Sequence, residues 1–304
     1  MKHPHFSVVI PVYKNKEMVI RNLKHNQEFF KNCEVILVDD ASGDGMTPDL
    51  QDLFPDMLVI ENEENKGFGP TVNTGVLAAQ AEYVILLGTD VRLTEPFAPS
   101  LIQRFEEQPD LFSLSFCQKE RDGSSVGKNA IFFKRGLPTH SKTHDLSAGI
   151  NAWADGGSSI VRKSMFHQLD GFNDIYAPFY WEDVDLSFRA YSRGWYVEFD
   201  PKLVVEHHHE STIGSLFSKK HVKTIAYRNQ FLFTWSNITD RSLWMQHIMY
   251  LPYYLIRFAL RGDGAFLKGF VMALSKMSRY SKDRERKIEH QVVSDADIFA
   301  RFTE

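Results

Sequence analysis

Residues 7–13 form a nearly unbroken apolar run that stops at Lys14-Asn15. A run without polar alternation predicts a strand covered on both faces. Behind it, Met18, Leu23 and Phe29-Phe30 mark a helix over about 16–30. The stretch 34–40 repeats the strand pattern and ends at the acids Asp39-Asp40, followed by Ala-Ser-Gly-Asp-Gly45. A short helix near 48–54 leads to a strand at 57–60, and Asn65-Lys-Gly-Phe-Gly-Pro70 opens a helix over about 70–80. The next strand, 83–87, ends in Gly88-Thr89-Asp90. Strand and helix thus alternate four times, which predicts an α/β fold with a parallel sheet and right-handed crossovers.

Further along, 97–108 reads as a helix and 112–116 as a strand. The stretch 119–149 is polar, carries Gly123, Gly127, Gly136 and Pro138, and shows no period, so a long functional or mobile loop is expected there. Trp153-Ala-Asp-Gly-Gly-Ser-Ser159 leads into a short strand at 160–161. Val184, Phe188 and Tyr191 stand at i, i+4 and i+7 with Gly194 as a stop, which predicts a helix over about 182–193. Strands at 195–199 and 203–205 bracket Asp200-Pro201, and the second runs into Glu206-His207-His208-His209-Glu210. On an extended chain 207 and 209 share a face. The apolar stretch 243–260 is interrupted by Gln246, His247, Pro252 and Arg257. That pattern fits a helical cap with a face for a membrane surface better than a spanning helix.

Composition narrows the class. A chain of 304 residues, 43% hydrophobic and 24% charged, can bury a full core without staples. Two cysteines, Cys33 and Cys117, are too few for a disulfide framework or a cysteine metal site. Met1-Lys2-His3 leads straight into strand-like sequence without a signal-peptide pattern, so a cytoplasmic setting is expected. The net charge of -4 is unevenly spread: residues 215–287 hold 14 Lys/Arg against 4 Asp/Glu, a local +10, so the remainder carries -14. This divides the chain into an acidic α/β domain, 1–214, and a basic helical extension, 215–304. The basic region suits an anionic lipid, nucleic acid, a partner or a solvated helical face.

In parallel α/β sheets ligands bind beyond the carboxyl ends of the strands. Here those ends carry Pro11-Val12-Tyr13, Asp39-Asp40, the 65–69 loop and Thr89-Asp90. No G-x-G-x-x-G turn follows the first strand, which argues against a nicotinamide-binding domain, and no G-x-x-x-x-G-K-[ST] loop is present. The glycine-rich basic phosphate loop that a sugar-1-phosphate nucleotidyltransferase would need there is missing too. Asp39 or Asp40 can accept from a base N–H, and Asp90 can hold a divalent cation against a diphosphate. The acids Glu182, Asp183 and Asp185 open a helix behind aromatic residues. They either complement its dipole or include a general base with a shifted pKa. His207 is either structural or a metal or phosphate contact.

These segments, taken in order over residues 5–215, resemble family 2 of the glycosyltransferases and its bacterial rhamnosyltransferase-like group. The resemblance is carried by the opening strand, Val38-Asp-Asp-Ala-Ser42, Asn65-Lys-Gly-Phe-Gly69 and Leu86-Leu-Gly-Thr-Asp90. Asp155-Gly-Gly157, Trp181-Glu-Asp-Val-Asp-Leu186 and the segment 205–212 complete it. It implies the GT-A fold, a Rossmann-like mostly parallel sheet flanked by helices, with a C-terminal helical extension. The implied activity is metal-dependent, inverting hexosyl transfer from a nucleotide-diphosphate sugar. The acceptor would be a hydroxyl of a glycan or lipid-linked molecule in cell-surface polysaccharide synthesis.

By that similarity Asp40 would read the nucleotide base with Asp39 in support. Pro11, Val12, Tyr13, Gly67, Asn73, Thr89 and Asp90 would complete the donor site. Asp90 would be the last acid of the family's D-x-D motif, whose first acid is replaced here by Gly88. Asp183 would be the catalytic base, with Gly156, Gly157, Trp181 and Glu182 facing the acceptor. His207, 24 residues beyond Asp183, would join Asp90 at a Mn²⁺ or Mg²⁺ ion. The partners implied are the donor, the acceptor and a peripheral contact with the inner face of the cell membrane. A homo-oligomer is allowed and nucleic acid is not expected. The alternative is a sugar-nucleotide-binding protein of the same fold with little activity, favoured by Gly88 and opposed by Asp90, Asp183 and His207.

Overall fold

The computed structural model describes residues 5–207 and 217–302. Its centre is a ten-stranded mixed sheet. Four strands are parallel: β1 (Phe6–Val12), β2 (Cys33–Asp39), β3 (Leu58–Glu61) and β4 (Tyr83–Leu87). The helices between them are α1 (Lys16–Asn26), α2 (Met46–Leu53) and α3 (Phe68–Ala78). The first is shorter than the pattern predicts and gives way to a 3-10 turn, Gln27–Phe29.

Strand β1 shows why its sequence lacks alternation. Val8, Ile10 and Val12 enter one hydrophobic cluster with Met18, Leu50 and Phe105, while Val9 enters another with Val72, Val76 and Phe188. Successive side chains point to opposite faces, and both faces are covered.

The sheet is not parallel throughout. After β5 (Val91–Leu93) and α4 (Ser100–Glu107) comes β6 (Leu111–Lys119), and β11 (Ser158–Arg162) lies antiparallel between β4 and β6. The strands expected at 195–199 and 203–205 are one strand, β12 (Tyr196–His207), with a register shift between Asp200 and Val204 that accommodates Pro201.

The long loop expected over 119–149 is largely structured. Short strands β7 (Ser125–Val126) and β10 (Gly149–Ile150) join the main sheet. Strands β8 (Asn129–Lys134) and β9 (Leu137–Lys142) form a hairpin. Its two-residue turn, Arg135-Gly136, has φ 51° and 80°, the positive values a tight hairpin requires.

Helices α5 (Lys163–Gln168) and α6 (Glu182–Ser192) precede β12. The C-terminal third is helical: α7 (Lys219–Asn237), α8 (Arg241–Leu260), α9 (Gly264–Leu274), α10 (Met277–His290) and α11 (Asp295–Ala300). Phe231, Phe233, Phe266 and Ile298 share a single cluster with Val9, Val72 and Leu86. The boundary drawn at 214/215 is therefore not a break in packing, because α7 completes the core on one face of the sheet. Among the described residues no helix is long and apolar enough to cross a membrane.

Candidate active site

The carboxyl ends of β1, β2 and β4 open on a cleft of about 420 Å³. Pro11, Val12, Tyr13, Asp40, Gly67, Thr89 and Asp90 line one part of it, and Gly156, Gly157, Glu182, Asp183 and His207 line the rest. Most of the residues picked out from the sequence therefore converge on one concave surface.

Asp40 is 4% exposed and holds the 65–67 loop. Its Oδ1 accepts from Asn62 Nδ2 and the Lys66 amide, each at 2.9 Å, and its Oδ2 accepts from the Gly67 amide at 2.9 Å. A carboxylate offers about four acceptor positions, so one is left for a ligand N–H at the cleft. Asp39 points away, with Oδ1 on the Ser42 amide at 3.1 Å and Oδ2 on Thr47 Oγ1 at 2.8 Å. It pins the turn after β2 and does not line the cleft.

Asn73 also lies outside the cleft and exchanges two hydrogen bonds with the Phe172 backbone, at 2.8 and 2.9 Å. Trp181, likewise outside its lining, is buried against Phe233, ring centroids 5.1 Å apart, and beside His140 at 5.3 Å. Its aromatic character serves packing.

At the end of β4, Asp90 Oδ2 lies 3.2 Å from His207 Nε2, and His207 Nδ1 meets Gln118 Oε1 at 2.6 Å. Burial opposes a charged imidazole, but the hydrogen bond and charge of Asp90, with Asp155 and Glu120 behind it, outweigh burial and raise the His207 pKa. His208, His209 and Glu210 lie outside the described residues. Gly88 is held close to the start of β11, its amide donating to Gly157 O at 2.7 Å. A Cβ there would stand 3.0 Å from Asp90 Oδ1, so an acid at 88 would crowd the one at 90.

The three acids that open α6 separate into distinct roles. Asp185 is 1% exposed and fully engaged, accepting from Tyr176 Oη at 2.8 Å, Asn237 Nδ2 at 2.6 Å and Arg189 Nε at 2.7 Å. It is an anchor. Glu182 is 9% exposed, and its Oε2 has no hydrogen-bond partner among the described residues. Desolvation, the charge of Asp183 and that of Asp155 push its pKa up to about 8. Asp183 is partly open to the cleft, with Oδ1 accepting from the Val184 amide at 2.8 Å. Desolvation and Asp155 raise it to about 7. Asp155, whose Oδ1 accepts from the Gly157 amide at 2.9 Å, is a site acid that the sequence reading used only as part of a motif.

The loop that delivers these acids is gripped by α7. Tyr180 and Trp181 have φ of 71° and 77°, a conformation that costs on the order of 1–3 kcal/mol per non-glycine residue. Asn229 Nδ2 donates to the carbonyls of Tyr176, Phe179 and Tyr180 at 2.8–2.9 Å. Arg228 Nη2 reaches the carbonyls of Tyr176 and Ala177 at 3.0 and 2.5 Å, and its Nε donates to Asn229 Oδ1 at 2.9 Å. The sequence assigns neither residue a role, although Arg228, Asn229 and Gln230 inside the otherwise mostly apolar stretch 225–235 are themselves a signal of buried hydrogen bonding.

The arrangement is a carboxylate of raised pKa lining the same cleft as an acid–imidazole pair. Proteins of known type share the fold that carries it. An N-acetylglucosaminyl-diphospho-decaprenol L-rhamnosyltransferase of Mycobacterium tuberculosis is 26% identical over 209 residues, spanning 59% of this chain and 68% of the relative. The structure of GalNAc-T7 with UDP, GalNAc and Mn²⁺ superposes with a TM-score of 0.60 at 14% identity, covering 98% of this chain and 57% of that one. Staphylococcus aureus TarS 1-349 with UDP-GlcNAc gives 0.56 at 14% identity, covering 94% and 83%. The strand order and flanking helices are those of the GT-A fold. The family model for glycosyl transferase family 2 matches residues 7–170, more than half of the sequence and all four parallel strands, and this chain belongs to that family.

Proposed function

We propose that this protein is an inverting, cation-assisted glycosyltransferase. In this reading it moves a sugar from a nucleotide-diphosphate donor to a hydroxyl of a glycan or lipid-linked acceptor. The observation that carries the reading is that Asp183, raised to about 7, and the Asp90–His207 pair open onto the same cleft. A base poised near neutrality can take a proton from an attacking hydroxyl and hold it. Asp40 offers an acceptor position to a nucleotide base, and Gly156 and Gly157 line the same cleft.

Among the described residues no group of three or more His, Cys, Asp or Glu could hold a metal unaided. One carboxylate and one imidazole do fit a hard cation whose remaining ligands are diphosphate and water oxygens. Asp90 and His207 would hold it, and bound there it would offset charge on the departing diphosphate. Asp183 is left to handle the acceptor proton.

A screen of nucleotide sugars by mass spectrometry, with and without Mn²⁺, tests the whole reading. Metal-dependent turnover of one donor class is expected. No turnover of any donor would favour the binding-protein alternative. Calorimetry should show weak Mn²⁺ binding that strengthens when a nucleoside diphosphate is present, and Asp90→Ala should abolish the enhancement. Full activity in excess chelator, or wild-type activity in Asp90→Ala, would rule out the cation.

A further inference from the structure

Helix α8 is apolar on two sides, and only one side is used by the fold. Leu243, Trp244, Leu251, Tyr254, Leu255 and Phe258 pack on the core. The opposite face carries Met245, Ile248, Met249, Tyr253, Ile256 and Leu260, between 43% and 84% exposed. Their spacing of three and four residues makes one stripe along a 20-residue helix, about 30 Å long. Val271, Leu274 and Met277, on α9 and the start of α10, are likewise exposed. No described residue covers this surface. A contiguous apolar stripe of this extent marks an interaction site.

Charge decides between occupants. From Arg241 to Lys282 the chain has seven Lys/Arg and a single acid, Asp263, which is paired to Lys223 at 2.6 Å. Two copies meeting through this face would bring like charges together, whereas an anionic bilayer offers both hydrocarbon and opposite charge. We infer that α8 and the adjoining end of α9 lie in the headgroup region of an anionic lipid bilayer, with the exposed stripe inserted and the flanking Arg257, Arg261 and Lys268 on the phosphates.

The same helix seats the β8–β9 hairpin. Gly136 N donates to Gln246 Oε1 at 2.9 Å, and Gly136 O meets His247 Nδ1 at 2.7 Å. A side chain at Gly136 would strike the α8 backbone, its Cβ lying 2.7 Å from Gln246 O. Four residues along β9, roughly 13 Å of strand, His140 stands against Trp181, next to Glu182 and Asp183. Docking α8 would hold the acceptor side of the cleft close to the lipid surface. This deepens the proposed lipid-linked acceptor and rests on it for its purpose, but vesicle binding is measured without any transfer assay.

Flotation of the full chain with phosphatidylcholine vesicles, with and without phosphatidylglycerol, is the test. The protein should float with anionic vesicles at low salt and be released as salt rises. The double variant Ile248→Glu/Ile256→Glu changes only exposed positions. It should lose binding ~10-fold or more, and Arg261→Glu/Lys268→Glu should lose roughly fivefold per basic side chain removed. Circular dichroism checks that each variant is folded. Wild-type protein that stays unbound to anionic vesicles, or a double variant that floats as well as wild type, would overturn the inference. So would a concentration-dependent dimer abolished by the same apolar substitutions, which would assign the face to a second copy. Loss of flotation alongside retained transfer to a soluble acceptor would separate the docking surface from the catalytic reading.

Discussion

Asp183→Asn should lower transfer by ~10²–10⁴-fold, the usual effect of losing a general base, while nucleotide affinity measured by calorimetry stays near wild type. The side chain keeps its shape, and the donors that hold the Asp40 carboxylate are Asn62 and the Lys66 and Gly67 amides. The sign of the pH dependence follows from the cause of the shift. Burial and Asp155 disfavour the ionised carboxylate and raise Asp183 to about 7, so the base is competent above that pH and lost as pH falls below it. Glu182, raised to about 8, titrates together with it, so the observed limbs belong to the pair. Because both are raised, the folded state retains protons that the unfolded chain releases. Stability from this pair is present in the ordinary carboxylate range and declines as pH climbs towards 8. Transfer within a few-fold of wild type in Asp183→Asn would shift the role to Glu182, since Asp185 is fully engaged.

Asn229→Ala should be the second most damaging change, even though Asn229 is fully buried on α7, where its Oδ1 accepts from Arg228 and its Nδ2 donates to the backbone of 176–180. Its amide is what the left-handed residues Tyr180 and Trp181 lean on. Without it, buried carbonyls lose their donor, at about 1–3 kcal/mol of stability. The loop can then relax, and a misplacement of about 1 Å in a catalytic group can cost 10²-fold in rate. Steady-state kinetics should show kcat falling while nucleotide affinity is kept. A variant that loses affinity and turnover in proportion, or loses neither, would show that the grip does not position the base.

The sequence exposed the parts of this molecule whose signals are local. Continuous apolar runs located β1, β2 and β4, and acids after them located the cleft. What it hid was pairing across distance. Nothing in Phe116–Ser159 announces that β11 inserts antiparallel between β4 and β6, because both faces are buried either way. The β8–β9 hairpin was missed because its strands are polar on their exposed side and its turn is Arg-Gly, not Asn-Gly. Asp39 and Asp40 look alike in sequence, and only the position of Thr47 and Asn62 shows that one faces the turn and the other the cleft. Asn73 and Trp181 sit close in sequence to cleft residues, but helix geometry turns Asn73 towards Phe172 and the left-handed turn before α6 lays Trp181 on Phe233.

The contact between the 65–69 loop and the 176–181 loop has a thermodynamic consequence. Gly67, at φ 84°, passes so close to Pro178 that an added Cβ would lie 2.9 Å from its Cα, and the Phe68 amide donates to Pro178 O at 3.1 Å. Asp40 holds one of these loops, and the other ends at Asp183. A donor that engaged Asp40 would then bias the segment that presents Asp183, and because linkage is reciprocal an acceptor at Asp183 would change donor affinity by the same factor. Calorimetric titrations of nucleotide with and without acceptor, and of acceptor with and without nucleotide, in the Asp183→Asn background where turnover is suppressed, should give one coupling factor that differs from one. Independent binding would mean that the two loops touch without communicating.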